Sequence, residues 1–101
     1  MYAIAIIRYR QPMEEVQKHL NAHRAYCQGL KQEGLLIASG PVVPRNGGAM
    51  LLRVPDNEAQ ATLDSVRDND PYSRAGVAQY EVWPWTPVFG AEDLDRLQSG
   101  T

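Results

Sequence analysis

Three short clusters in this sequence carry side chains able to move a proton or polarise an oxygen: His23, Ser39-Gly40-Pro41 and Asp70-Pro71-Tyr72. His23 falls in the run Val16, Leu20, His23, Cys27, Leu30, whose spacings of 4, 3, 4 and 3 mark one face of a helix. On an inward face a leucine is the inexpensive choice, and an imidazole there must find a hydrogen-bond partner. If that partner is a carboxylate, the ring is fixed in tautomer and gains proton affinity, and its other nitrogen is left to act as a base. Asp70 is the candidate carboxylate, and Tyr72 and Ser39 are candidates to bind or polarise a substrate oxygen. Each cluster also has a plain structural reading. A histidine can be satisfied by a backbone carbonyl, Asp before Pro is ordinary turn chemistry, and Gly-Pro at a strand end makes a bend. His19 and His23 stand four residues apart, a spacing that could share a metal, but no motif places a third ligand, so no metal is expected. His19 is off the stripe and reads as solvent-facing.

The elements that must position these groups follow from periodicity. Tyr2 to Tyr9 is nearly all apolar and Ile-rich, as in a central strand buried on both faces. Met13 to Glu33 reads as one helix, with Gly34 as its C-cap. Leu35 to Ala38 and Ala49 to Val54 read as hairpin arms around the loop Pro44 to Gly48, with Ser39-Gly40-Pro41 closing the first arm. Met50, Leu52 and Val54 share one face of the second arm. Asp56 stands where it would cap a second helix carrying Ala59, Leu63 and Val66 inward. Val77 to Trp85 alternates as a fourth strand, with Ala78, Tyr80 and Val82 on one face and Trp83 and Trp85 on the other. The order β α β β α β implies an α+β, ferredoxin-like split arrangement, a four-stranded antiparallel sheet with two helices on one face. Such helices lie side by side, so Asp70, leaving the second, is expected within hydrogen-bonding reach of His23 on the first. The open sheet face, with its tryptophans, is expected to meet a second copy of the chain.

Composition narrows the function classes. The 101 residues carry ten basic and twelve acidic side chains, a formal charge of −2, with no basic run, so no nucleic-acid footprint is expected. A single cysteine allows no internal disulfide, no apolar run approaches the length of a membrane span, and no leader pattern opens the chain, so a cytoplasmic location is expected. Residues 1–88 read as one domain and 89–101 as a C-terminal tail with an amphipathic turn or two through Leu94 and Leu97.

His23, Gly40-Pro41 at the end of the second strand, and Asp70-Pro71-Tyr72 followed by Ala75-Gly76-Val77, in that order, resemble the YCII-related (YciI-like) family from Tyr2 to about Val88. The Asp-Pro-Tyr with its Ala-Gly is the most specific part. The resemblance implies a dimeric α/β barrel of ferredoxin-like subunits. It also implies a site in which His23 and Asp70 form a polar pair in a pocket. Some members carry an arginine three positions before the histidine, where this chain has Leu20. The function expected is a small-molecule enzyme with the His/Asp pair as general base, in cofactor-independent elimination of the dehydrochlorinase type or in hydrolysis. The alternative is a non-catalytic dimeric module that binds a small ligand or is purely structural.

Overall fold

The computed structural model describes residues 1–99. Strand β1 (Tyr2–Tyr9) lies between β3 (Gly47–Arg53) and β4 (Ala78–Trp85), antiparallel to both, and β2 (Leu36–Pro41) pairs outside β3, giving the order β2-β3-β1-β4. The strand that is apolar on both faces is thus an inner one. The strands that hold prolines, Pro41 and Pro84, are the two edges, where a missing N–H breaks no shared ladder. This is the expected α+β, ferredoxin-like architecture. In the inner pair Gly47 is required by close approach, because a Cβ there would fall 1.8 Å from the carbonyl oxygen of Ile7.

Ala3, Ala5 and Ile7 of β1, Met50 and Leu52 of β3 and Ala78 and Tyr80 of β4 point to one side and are buried. Over them lie helices α1 (Met13–Gln17), α2 (Leu20–Gln32), α3 (Ala59–Asn69) and α4 (Pro71–Arg74). They contribute Val16, Leu30, Leu63, Val66 and Tyr72 to the same core. Each fully buried aliphatic side chain contributes about 1.5–3 kcal/mol of transfer free energy.

Several boundaries differ from the sequence reading. The first helix is two, interrupted at Lys18 and His19, where His19 N–H bonds to the Val16 carbonyl at 3.0 Å in a tighter turn that neither Gly nor Pro announces. His19 is half-buried at the start of α2 rather than fully solvent-facing. Ser39-Gly40-Pro41 lies inside β2, because the edge strand continues pairing with Met50, Ala49 and Gly48. Asp56 caps no helix. Its carboxylate pairs with the amino group of Met1, and residues Asp56–Glu58 form a 3-10 turn ahead of α3. Val77 is buried just before β4 begins. Gly34 ends α2 as expected, at φ +81°, with Leu35 N–H bonded to the Leu30 carbonyl and Gly34 N–H to that of Lys31.

The second sheet face presents Ile4, Ile6 and Leu51, with Trp83 57% and Trp85 39% exposed. It is not bare throughout. The tail forms a further helix, α5 (Ala91–Ser99), whose Asp95 accepts a 2.6 Å hydrogen bond from the Tyr2 hydroxyl. The last two residues of the expected tail lie outside the described residues.

Candidate active site

The segment Asp70 to Val77 is a miniature helix sealed at both ends. The Asp70 carboxylate accepts from the Tyr72 N–H at 2.9 Å, the geometry of an N-cap, and Pro71 occupies the first helical position, where it has no N–H to waste. At the other end Gly76 adopts φ +70°, its N–H bonds to the Ser73 carbonyl and Val77 N–H to that of Tyr72. The turn chemistry read from Asp-Pro is therefore present, and it aims a carboxylate and a phenol ring inward, beneath α2.

His23 Nδ1 stands 2.9 Å from each carboxylate oxygen of Asp70, across 47 positions of sequence. Asp70 is wholly buried and the His23 side chain is 15% exposed. The Tyr80 hydroxyl donates a short hydrogen bond to the same carboxylate from β4. One aspartate thus joins α2, α4 and β4, accepting from an imidazole, an amide and a phenol. The Tyr72 ring lies flat against His23, with centroids 4.0 Å apart and planes 9° from parallel, and the edge of Tyr9 meets the Tyr72 ring. On the other side of the imidazole, Nε2 is 3.5 Å from Cys27 Sγ, one helical turn on.

Burial pulls the proton affinity of His23 down. Hydrogen bonds to Asp70 and Cys27 and the charge of Asp70 outweigh it, so the pKa rises to about 9. The imidazolium is therefore the resting form at pH 7, with Nδ1–H donating to Asp70 and Nε2–H to the sulfur. Burial, then the Asp70 charge, pushes Tyr80 well above the usual phenol range. Burial and Tyr9 raise Tyr72 to about 12. Both phenols are neutral donors at physiological pH.

His23 lines a cavity of about 720 Å³ between α2 and the β2 edge of the sheet. Ser39 and Tyr72 line it too, while Asp70 sits behind the histidine with no surface of its own. Of the four residues singled out in the sequence, three therefore reach the cavity and the fourth orients one of them. Sequence reasoning missed Cys27, Arg24, Lys31 and Arg45, all four on the cavity wall, and Tyr80, which is not. Cys27 is visible in the sequence as the next turn of the stripe, a position that a core residue would fill equally well. Tyr80 was visible on the inward face of the last strand, but only the fold shows where its hydroxyl ends. Among the described residues no group of three His, Cys, Asp or Glu side chains could hold a metal.

Solved structures with the same fold include 5-chloro-2-hydroxyhydroquinone dehydrochlorinase (TftG) from Burkholderia phenoliruptrix AC1100, in complex with 2,5-dihydroxybenzoquinone. It superposes with a TM-score of 0.74 at 21% identity, over 87% of this chain and 96% of that one. An antibiotic biosynthesis monooxygenase superposes with a TM-score of 0.54 at 16% identity, over 86% of this chain and all (100%) of that one. At such identities the likeness is one of fold. Among curated proteins none matches the chain. The family model of the YCII-related domain matches residues 1–86, the span that holds His23, the β2 edge and the Asp70 helix, and the chain belongs to that family.

Proposed function

We propose that the protein is a small-molecule enzyme that works by proton transfer at His23, in cofactor-independent elimination or hydrolysis. The observation that carries this reading is a buried carboxylate on Nδ1 of an imidazole whose ring borders a cavity large enough for an organic molecule. In an elimination, Nε2 of the neutral ring takes a proton from the substrate. The electron pair left behind forms a new double bond, and the leaving group departs with its own pair. In a hydrolysis the same nitrogen takes the proton of the attacking water as its oxygen bonds to the electrophilic carbon, and the leaving group departs with the electron pair of the broken bond and receives that proton from the imidazolium. Asp70 stays ionised in both cases and balances the imidazolium that forms. The dehydrochlorinase of the same fold is an enzyme of the first type.

With the pKa at about 9, roughly one ring in a hundred is neutral at pH 7, so kcat/KM should climb with pH toward that value. The test is a screen of halogenated and hydroxylated aromatics and small lactones with wild type and His23→Gln. Turnover by the wild type with a loss of about 10²–10⁴-fold in a folded variant is the expected result. Undiminished turnover in His23→Gln overturns the reading.

A non-catalytic reading draws on a different observation. Asp70 accepts from three separate elements, as an internal structural tie would. It predicts that His23→Gln loses stability and that the wild type turns over nothing in the screen.

The dimer belongs to the same proposal. Ile4, Ile6, Leu51 and Trp83 form an apolar surface on the half of the sheet away from α1–α4, and a second copy laid against it would bury that surface.

A further inference from the structure

The wall of the His23 cavity carries formal charge of one sign only. Arg24, Lys31 and Arg45 line it, and no Asp or Glu does. Arg24 and Lys31 stand on α2 at the i and i+7 positions of the face that carries His23 and Cys27. Arg45 comes from the β2–β3 loop, and its charge is close enough to Tyr72 to be felt there. Of the ten Lys and Arg side chains, Arg8, Lys18, Arg53, Arg67, Arg74 and Arg96 make an ion pair, a hydrogen bond or a ring contact. Arg10, Arg24, Lys31 and Arg45 make none among the described residues, and three of these four meet at the cavity.

That concentration runs against the chain as a whole, whose formal charge is −2. Nor is it cancelled from within, since the buried Asp70 is matched by the imidazolium of His23. Unpaired cations converging on a low-dielectric concavity focus the field and favour an anion there. Deeper in, Ile7, Leu36, Met50 and Tyr72 present apolar and aromatic surface. The site therefore pairs an apolar floor with a cationic rim, and two of the three rim cations are guanidinium forks suited to a carboxylate.

We propose that the cavity takes a small organic carboxylate with an apolar or aromatic body, the carboxylate held by Arg24, Lys31 and Arg45 and the body laid against Tyr72 and His23. This assignment rests on the reading of the cavity as a substrate site and adds the class of substrate.

The probes are benzoate, its neutral isostere benzamide and inorganic phosphate, titrated by calorimetry into the full chain and into the triple variant Arg24→Gln/Lys31→Gln/Arg45→Gln. All three replaced side chains are exposed, and circular dichroism checks that the variant is folded. Benzoate should bind the wild type at least about tenfold more tightly than benzamide, and should lose about tenfold or more in the triple variant, as expected when a charge-assisted contact is removed. Its affinity should fall as salt is added. Arg45→Lys in the background of the other two native cations should keep most of the binding. No benzoate binding, equal affinity for benzamide, or undiminished binding by the triple variant overturns the proposal. Tighter binding of phosphate than of benzoate overturns the carboxylate assignment. These readouts need no turnover. Benzoate binding without any His23-dependent reaction would sink the catalytic reading alone, and a His23-dependent reaction on neutral substrates without benzoate binding would sink this proposal alone.

Discussion

Asp70 holds the site together because one carboxylate serves a helix cap, a phenol and an imidazole at once. Two consequences are measurable at this scale. The folded pKa of His23, about 9, lies above the ordinary 6.5, so the pair stabilises the fold fully below about pH 6.5, and that contribution is lost as pH rises through 9. Its size is on the order of 3 kcal/mol, and denaturant melts between pH 6 and 10 should show stability falling across that window. In Asp70→Asn the charge is gone while the burial of His23 remains. The histidine pKa should then drop to 6.5 or lower, followed by NMR of the ring protons. An unshifted titration would mean that the carboxylate does not set the proton affinity. Tyr80→Phe removes a buried donor from the same carboxylate and should cost about 1–3 kcal/mol in denaturant melts.

Among the elements, α4 is the one whose existence depends most on its ends. Four residues cannot hold a helix by propensity, and Pro71–Arg74 persists because Asp70 closes one terminus and Gly76 the other. Gly76→Ala forces a β-carbon into φ +70° and should cost about 1–2 kcal/mol, with little change in the fold. Gly47→Ala is a different case. Its Cβ would meet the Ile7 carbonyl in the middle of the sheet, and no flexible side chain can give way. That variant should lose at least about 3 kcal/mol, more than Gly76→Ala, when the two are compared by thermal unfolding. The reverse order would contradict the registry of β1 with β3.

For the whole molecule, the proposed dimer rests on the apolar face of the sheet away from α1–α4. Helix α5 bonds to the Tyr2 end of that face, and Trp83 remains more than half exposed in a single chain. Sedimentation at micromolar concentration should give twice the chain mass. Ile6→Glu, which places a charge at the centre of the same face, should return it to one chain. A wild type that sediments as a monomer removes the dimer from the proposal and leaves the His23 cavity, which lies on the helical side, untouched.

The family resemblance named Asp70 as the partner of His23, whereas element order, the capping glycine at Gly34 and the need of that imidazole for a partner were legible in the residues themselves. Each rests on a local signal: a period of two or of 3.6 residues, a residue able to take positive φ, or a polar ring on an apolar face that must be satisfied. Local signals name faces, but they do not say which faces meet. The extension of β2 through Pro41 answers to pairing partners distant in sequence, and neither Gly nor Pro announces the interruption of the first helix at His19. The Tyr80 hydroxyl on Asp70, the Cys27 sulfur beside Nε2 and the gathering of Arg24, Lys31 and Arg45 around one cavity likewise needed the fold. The protonation of His23 is the clearest instance. Desolvation and a nearby carboxylate shift an imidazole in opposite directions, and only their distances in the folded chain determine which one wins.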